Sequence, residues 1–420
     1  MARHSIADHR RARLRNGALS KAWFGPLPAF ALLCLSMALV WLAAPRPAIA
    51  ENRATIRGNY YRERSTRVVQ PLAQVTVDAP DERLTLGATY LLDAVSSASI
   101  ASGTQAATGG DNVFHELRHE ATGTVGSRLG EWNLGGFFRY SSETDYISRA
   151  AGLALARDLL QRNINVSLSY SFAGDRWYRI QNNTGAKRPW CGGDVDIDEC
   201  RTGSRGANSN FLQVHQVAAG YSHTLHRTVL ALFNISYSHL RGPLDNPYRE
   251  GFLGGIEETH PHVRDRVVMT PSVRWMIPKW RTTFEPFYSF YVDSWGQRAH
   301  TPELRVHVRP TRHIRLRARY SYYTQSAAFF YRADGQYVDG DGKCSRKAVF
   351  NCATADVKAM PWDAHSPGIQ LTWDFDGVAA RRRALRWLEG GFIELTYNHL
   401  FQDNRFGNAR IGSIAVSFTY

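Results

Sequence analysis

Strict alternation of apolar and polar residues recurs along this chain in segments of about ten. In "NINVSLSYSF" (163–172), Ile164, Val166, Leu168, Tyr170 and Phe172 fall on one parity and Asn165, Ser167, Ser169 and Ser171 on the other. The stretches "LTLGATYLLD" (84–93), "WNLGGFFRYS" (132–141), "LALFNISYSH" (230–239), "TFEPFYSFYVD" (283–293) and "GIQLTWDF" (368–375) repeat the pattern. A period of two sends the two sets to opposite faces of a β-strand, whereas a helix would scatter them. Aromatic residues crowd the apolar parity, and many strands behave alike. That combination predicts a closed barrel wall with lipid outside and polar groups inside, rather than a soluble sandwich.

The connections reinforce this reading. Tight ones are expected near 127–130, 161–162, 225–226, 277–280 and 310–311, and long polar ones near 95–112, 181–207, 241–262 and 332–361. Short and long largely alternate, as they do where short periplasmic turns oppose long extracellular loops. Fifteen strands are legible from residue 66 onward. A barrel with both termini in the periplasm needs an even number, so "ATIRGNYYR" (54–62) is added as the first strand. The prediction is an all-β, up-and-down transmembrane barrel of sixteen strands, with fourteen as the alternative count.

Composition changes the picture mainly at the N-terminus. Arg3, Arg10, Arg11, Arg13, Arg15 and Lys21 precede an apolar run from Leu27 to Ala44, and Ala48-Ile49-Ala50 supplies a small-x-small cleavage pattern. Residues 1–50 are therefore expected to be a signal peptide and 51–420 the barrel. An uncleaved inner-membrane anchor is the competing reading. The whole chain carries 51 Lys and Arg against 37 Asp and Glu, and the leader takes seven bases and one acid of these, leaving 44 against 36. So moderate an excess on an exported chain implies no nucleic-acid partner. The partners expected are outer-membrane lipids and, during biogenesis, the barrel-insertion machinery, whose C-terminal signal the ending "IGSIAVSFTY" resembles. The outer membrane is the expected location, and oligomeric state is left open.

Candidate chemistry begins with charge inside the wall. In "RHIRLRARYSYYT" (312–324), Arg315, Arg317 and Arg319 share one parity, and across a turn at Pro310-Thr311 the segment "ELRVHVR" adds Arg305, His307 and Arg309. Exposing a midplane arginine to lipid costs about 2–4 kcal/mol, so this basic stripe is expected to face the lumen. There it either attracts anions or is neutralised by lumen acids, for which Glu285, Asp293, Asp374 and Glu394 are the candidates. Four cysteines follow the leader in two local pairs, Cys191 with Cys200 and Cys344 with Cys352. Export favours disulfides there, and zinc competes without any CxxC spacing. The loops around them are acidic. Asp194, Asp196 and Asp198 in one, and Asp339 and Asp341 in the other, are oxygen donors suited to calcium, although neither loop completes a twelve-residue EF-hand. No other cofactor is expected. The sequence has no GxSxG, HExxH or glycine-rich phosphate loop. The one enzyme-like cluster, Asn398, His399 and Asp403, has His399 on the wrong parity, so an enzyme is the third reading. The first is a channel or export conduit for small polar or anionic solutes. The second is a closed barrel whose extracellular loops bind a partner or surface ligand.

Two stretches, "NYYRERSTRVVQP" (59–71) and "DAVSSAS" (93–99), resemble the amino-terminal part of an uncharacterised family of Gram-negative outer-membrane barrels known only as a domain of unknown function. Ser97 stands where that family often has glycine. The resemblance implies a barrel, supplies no catalytic residues, and marks Asp93, at the end of an inward face, as a position to test.

Overall fold

In the computed structural model, residues 52–64, 66–79, 83–98, 113–180, 187–189, 210–245, 259–332, 352–404 and 406–420 are described here. The strands are β1 (Arg53–Arg62), β2 (Thr66–Asp78), β3 (Leu84–Ala98), β4 (Val113–Leu129), β5 (Trp132–Ser142), β6 (Tyr146–Leu159), β7 (Ile164–Ile180), β8 (Lys187–Pro189), β9 (Phe211–His226), β10 (Val229–Arg241), β11 (Val263–Ile277), β12 (Thr282–Asp293), β13 (Arg298–Val308), β14 (Ile314–Gln325), β15 (Trp362–Asp374), β16 (Phe392–Gln402) and β17 (Ala409–Thr419). The three-residue β8 is a short addition to the end of β7. The other sixteen form the wall: each is antiparallel to its chain neighbour, β7 pairs directly with β9, and β1 pairs with β17 from Arg53↔Thr419 to Arg62↔Arg410. Closure removes both sheet edges, as a strand-built wall in lipid requires. The expected sixteen strands are present, including the first.

Alternation decides which side chains face out. Leu86, Tyr90, Phe138, Leu153, Leu168, Tyr221, Leu304, Tyr320, Ile369, Leu395 and Ile414 are all exposed on the outward parity. Among the described residues no helix is long and apolar enough to cross a membrane. Strands of up to 17 residues, in β4 and β7, exceed the expected ten. At about 3.3 Å per residue they overrun an apolar band about 25 Å tall and project beyond it. The turns expected at 161–162 and 310–311 fall within the connections 160–163 and 309–313, whereas three others come one to three residues later than expected, at 130–131, where Gly130 takes φ +63°, at 227–228 and at 278–281. The short-long rule is broken at both ends. The connections 63–65, 143–145, 294–297 and 403–408 are short at the loop end, and 375–391 is long at the turn end, where it holds helix α1 (Asp376–Ala379) and a 3-10 turn over Arg383–Leu388.

At the loop end, Trp295, Ala328, Phe330, Cys352 and Ala359 form a small hydrophobic core, joined by Leu244 and Tyr331. His260 packs on it, with ring centroids 5.4 Å from Trp295 and 5.2 Å from Phe330, and its Nδ1 bonds the Leu244 carbonyl at 2.9 Å. This cap lies over the end of β11 to β14, because the Trp295 indole donates to Val263 O at 3.0 Å and Ala328 N to Ala359 O at 2.8 Å.

Candidate functional site

The inward parity of β13 and β14 carries the basic stripe. Leu304, Val306, Leu316 and Ala318 take the outward parity, and the register sets Arg305 opposite Arg319 and His307 opposite Arg317. Like charges directly opposite destabilise a sheet unless a counter-charge intervenes. Glu303, two residues before Arg305 and hence on the same face, provides one: it accepts from Arg305 Nε and, at 3.0 Å, from Arg319 Nη2. Glu285 on β12 provides another. It takes Arg305 Nη1 at 3.1 Å, Arg274 Nε at 3.1 Å and His307 Nε2 at 3.4 Å. Both carboxylates are buried. Arg315 pairs with Asp374 at 2.6 Å.

The stripe is nonetheless incompletely neutralised. Arg317 has no ion pair among the described residues, and its Nε is buried with no hydrogen-bond partner. Towards the turn end of the lumen, a cavity of about 410 Å³ is lined by Arg281, His307, Arg309, Arg315 and Arg317 with Thr283, Gln370 and Thr372. No carboxylate lines it. Arg53 and Arg315 both reach the Phe392 ring at 5.9 Å at this mouth. Gln370 is held against Glu394 at 2.6 Å. Around a quarter-turn of the wall the lumen lining changes to small groups. Ser167, Ser169, Ala218, Gly220, Asn234, Ser236 and Thr270 line a second, polar space of about 190 Å³. Close packing accompanies the stripe itself: a Cβ at Gly368 would collide with the Asn398 amide and lie 3.1 Å from Arg319 Cγ, so a larger residue there would have to push both side chains aside.

Several expected partners are elsewhere. Asp293 sits at the loop end of β12, bound by Arg264 at 2.8 and 2.5 Å, eight residues along the strand from Glu285, and it does not meet the stripe. Glu394 pairs with Arg57 of β1 at 3.2 Å rather than with a stripe arginine. Asp93 is bound by Arg118 at 3.0 Å. Arg309 lies one residue beyond β13, exposed in the turn, and so belongs to the mouth and not to the strand face. Glu303 is the acid that sequence reasoning missed, although its parity with Arg305 was readable. Of the enzyme-like cluster, Asn398 is inward and buried, while His399 is outward, its ring tilted against Phe401 at 4.2 Å between centroids. Cys352 is buried in the loop core, whereas Cys191, Cys200, Cys344, Asp194, Asp196, Asp198, Asp339 and Asp341 lie outside the described residues.

A separate acidic group stands at the loop-end rim, where oxygens of Glu116, Glu143 and Asp145 lie within 4.8 Å of one another. Glu116 accepts from Thr144 N at 2.7 Å, and Arg118 approaches Glu143 at 3.9 Å. Burial pushes the Glu143 carboxyl up to about 7; Arg118 opposes the shift, and Glu116, Asp145 and Asp93 add to it. A guanidinium within reach and a carboxyl that holds its proton near neutrality both weaken this donor set for a cation.

Comparison with known proteins finds no curated relative in sequence. Solved structures that are similar include a bacterial polysaccharide outer membrane secretin (7% identity, TM-score 0.49, 88% of this chain and 98% of that one). A BenF-like porin from Pseudomonas fluorescens Pf-5 matches at 8% identity and TM-score 0.43, and OccK9 (OpdG) of Pseudomonas aeruginosa at 9% and 0.42, each over 88% of this chain and 98% of the other. A family model described as "Protein of unknown function (DUF3570)" matches residues 104–384, downstream of the 59–99 stretch that carries the sequence resemblance. With two thirds of its length matched, the chain belongs to the DUF3570 family.

Proposed function

We propose that the chain is an outer-membrane channel for small polar solutes with a preference for anions, and not an enzyme. The observation that carries the reading is the mouth cavity of about 410 Å³, lined by four arginines and a histidine with no carboxylate among them. Fixed positive charge in a water-filled passage raises the local concentration of anions and excludes cations. Sixteen-stranded walls are wide enough for an aqueous lumen, which supports the same reading. Loops tied by Cys191–Cys200 and Cys344–Cys352 and a cleaved leader over residues 1–50 complete the proposal.

The test is conductance of the purified barrel in planar bilayers under a salt gradient. The wild type is expected to conduct with a reversal potential on the anion side, and Arg309→Gln/Arg317→Gln to move it towards cations. These two are chosen because neither has an ion pair among the described residues, so neutralising them strands no acid. A barrel that inserts and does not conduct would refute the channel. It would favour the second reading, a closed barrel whose loops bind a partner, which the hydrophobic core among the loops around Phe330 supports.

A further inference from the structure

The lipid-facing surface changes character at one level of β1, β2 and β17. Exposed Tyr60, Val69 and Ile414 fix the outward parity of these strands. Arg62, Arg67 and Arg410 continue that parity towards the loop end, and all three are exposed. The register sets Arg62 directly opposite Arg410 on one side and Arg67 on the other, and sets His399 of β16 opposite Arg410. Three guanidinium groups and an imidazole thus share one level on four adjacent strands. None of the three arginines has an ion pair among the described residues. Asp403, on the turn above, gives its oxygen to the Asp363 amide at 2.8 Å. Like charges facing each other across a ladder repel, so this cluster calls for an anion from outside the chain.

Directly below lies an apolar groove of about 810 Å³ in the outer wall. Tyr60, Tyr397 and Gly412 form its upper part, one pleat beneath Arg62, His399 and Arg410, and Ile414, Leu395 and Ile369 continue it into the hydrocarbon zone. Gly58 and Gly412 leave its floor without side chains. A charged site at headgroup height above a hydrocarbon-lined groove has the chemistry of a lipid whose headgroup carries phosphate. Arginine suits that role because its fork matches phosphate oxygens in pairs.

We infer that this face of the barrel binds a phosphorylated lipid of the outer leaflet, with phosphate on Arg62, Arg67 and Arg410 and acyl chains in the groove over Gly58 and Gly412. The inference rests on the barrel lying in an outer membrane with its long loops outside, and is independent of whether the lumen conducts.

The experiment is native mass spectrometry of the full-length barrel in detergent, titrated with bisphosphorylated lipid A, with the same lipid stripped of phosphate, and with inorganic phosphate as competitor. The wild type is expected to bind one lipid A. Arg62→Gln/Arg67→Gln/Arg410→Gln should weaken that binding at least ~30-fold, as should removal of the lipid's phosphates, since each charge-assisted contact contributes strongly. Inorganic phosphate should not displace the lipid. Gly412→Leu, whose added Cβ meets nothing closer than 3.9 Å, keeps the arginines and fills the groove, and should weaken binding ~10-fold. Equal affinity of the arginine variant, equal affinity for the dephosphorylated lipid, or displacement by inorganic phosphate would overturn the assignment. If the arginine variant fails to assemble, the lipid comparison on wild type and the Gly412→Leu result decide alone. Conductance measured in parallel keeps the channel reading's success or failure separate.

Discussion

Replacing Glu303 by Gln tests whether the stripe is held together by its own acids. The Glu303 side chain is 5% exposed and touches Arg305 and Arg319, which face each other across the ladder. Glutamine keeps the shape and one acceptor but removes the charge. Arg305 then shares Glu285 with Arg274 and His307, and Arg319 loses the one carboxylate it is paired with. Breaking a buried pair costs about 3–5 kcal/mol. The arginine side chains are 27% and 30% exposed, so water recovers part of that, and the expected loss is about 1–3 kcal/mol. The assay is denaturant unfolding of the detergent-solubilised barrel, followed by tryptophan fluorescence and by heat-modifiable migration. Arg319→Met in the same background should restore at least half of the loss, because the stranded cation is then gone. Removing one negative charge from the lumen should also move the reversal potential further towards anions. An unchanged midpoint for Glu303→Gln, or a double variant no better than the single, would refute the pairing account and leave Glu303 a bystander.

Three further expectations follow from the loop end. The Glu143 carboxyl is raised in the folded protein, so its contribution to the 143–145 turn is full below about 4.5 and lost as pH rises through about 7; the protection factors of that turn, taken relative to intrinsic amide exchange at each pH, should fall between pH 5 and 8, Glu143→Gln should hold them level, and protection factors that increase with pH would contradict this. His260 is held below its ordinary value by burial, against the opposing pull of Asp245 and Asp356 and with Arg264 adding to the depression. Its contribution is therefore present above about 6.5 and lost as pH falls through the depressed value; the core around Phe330 should be cut faster by protease at pH 5 than at pH 8, and equal rates would refute it. Single cysteines at Asp194 or Gly340 should react with an impermeant label on intact cells while one at Thr311 does not, and the reverse pattern would invert the orientation.

The wall was legible because alternation is a property of single strands. Once Arg315, Arg317 and Arg319 shared a parity opposite Ile314, Leu316 and Ala318, their expected inward direction followed from the cost of the alternative. Height along the wall is a different quantity. It depends on how far each strand slides against the next, which the exact lengths of turns such as 294–297 and 309–313 set. Glu285 and Asp293 have the same parity on the same strand, yet eight residues put them about 27 Å apart, so one meets Arg305 and the other meets Arg264.

Closure added contacts that no local pattern announces. Arg57 reaches Glu394 of β16, and Arg62 stands opposite Arg410 of β17, only because β1 closes against β17, more than 300 residues away in the chain. The same seam explains why the outward arginines escape a search for charge runs: each stands alone in its own strand, and the cluster exists only across three of them. Inside the wall, an acid two residues away on the same face neutralises its arginine, as Glu303 does. Outside, the same spacing offers Arg62 only Tyr60, at the groove's upper edge, and a turn. The two basic sites therefore differ in kind. One carries most of its counter-charge in the protein, and the other is left to take its counter-charge from the membrane.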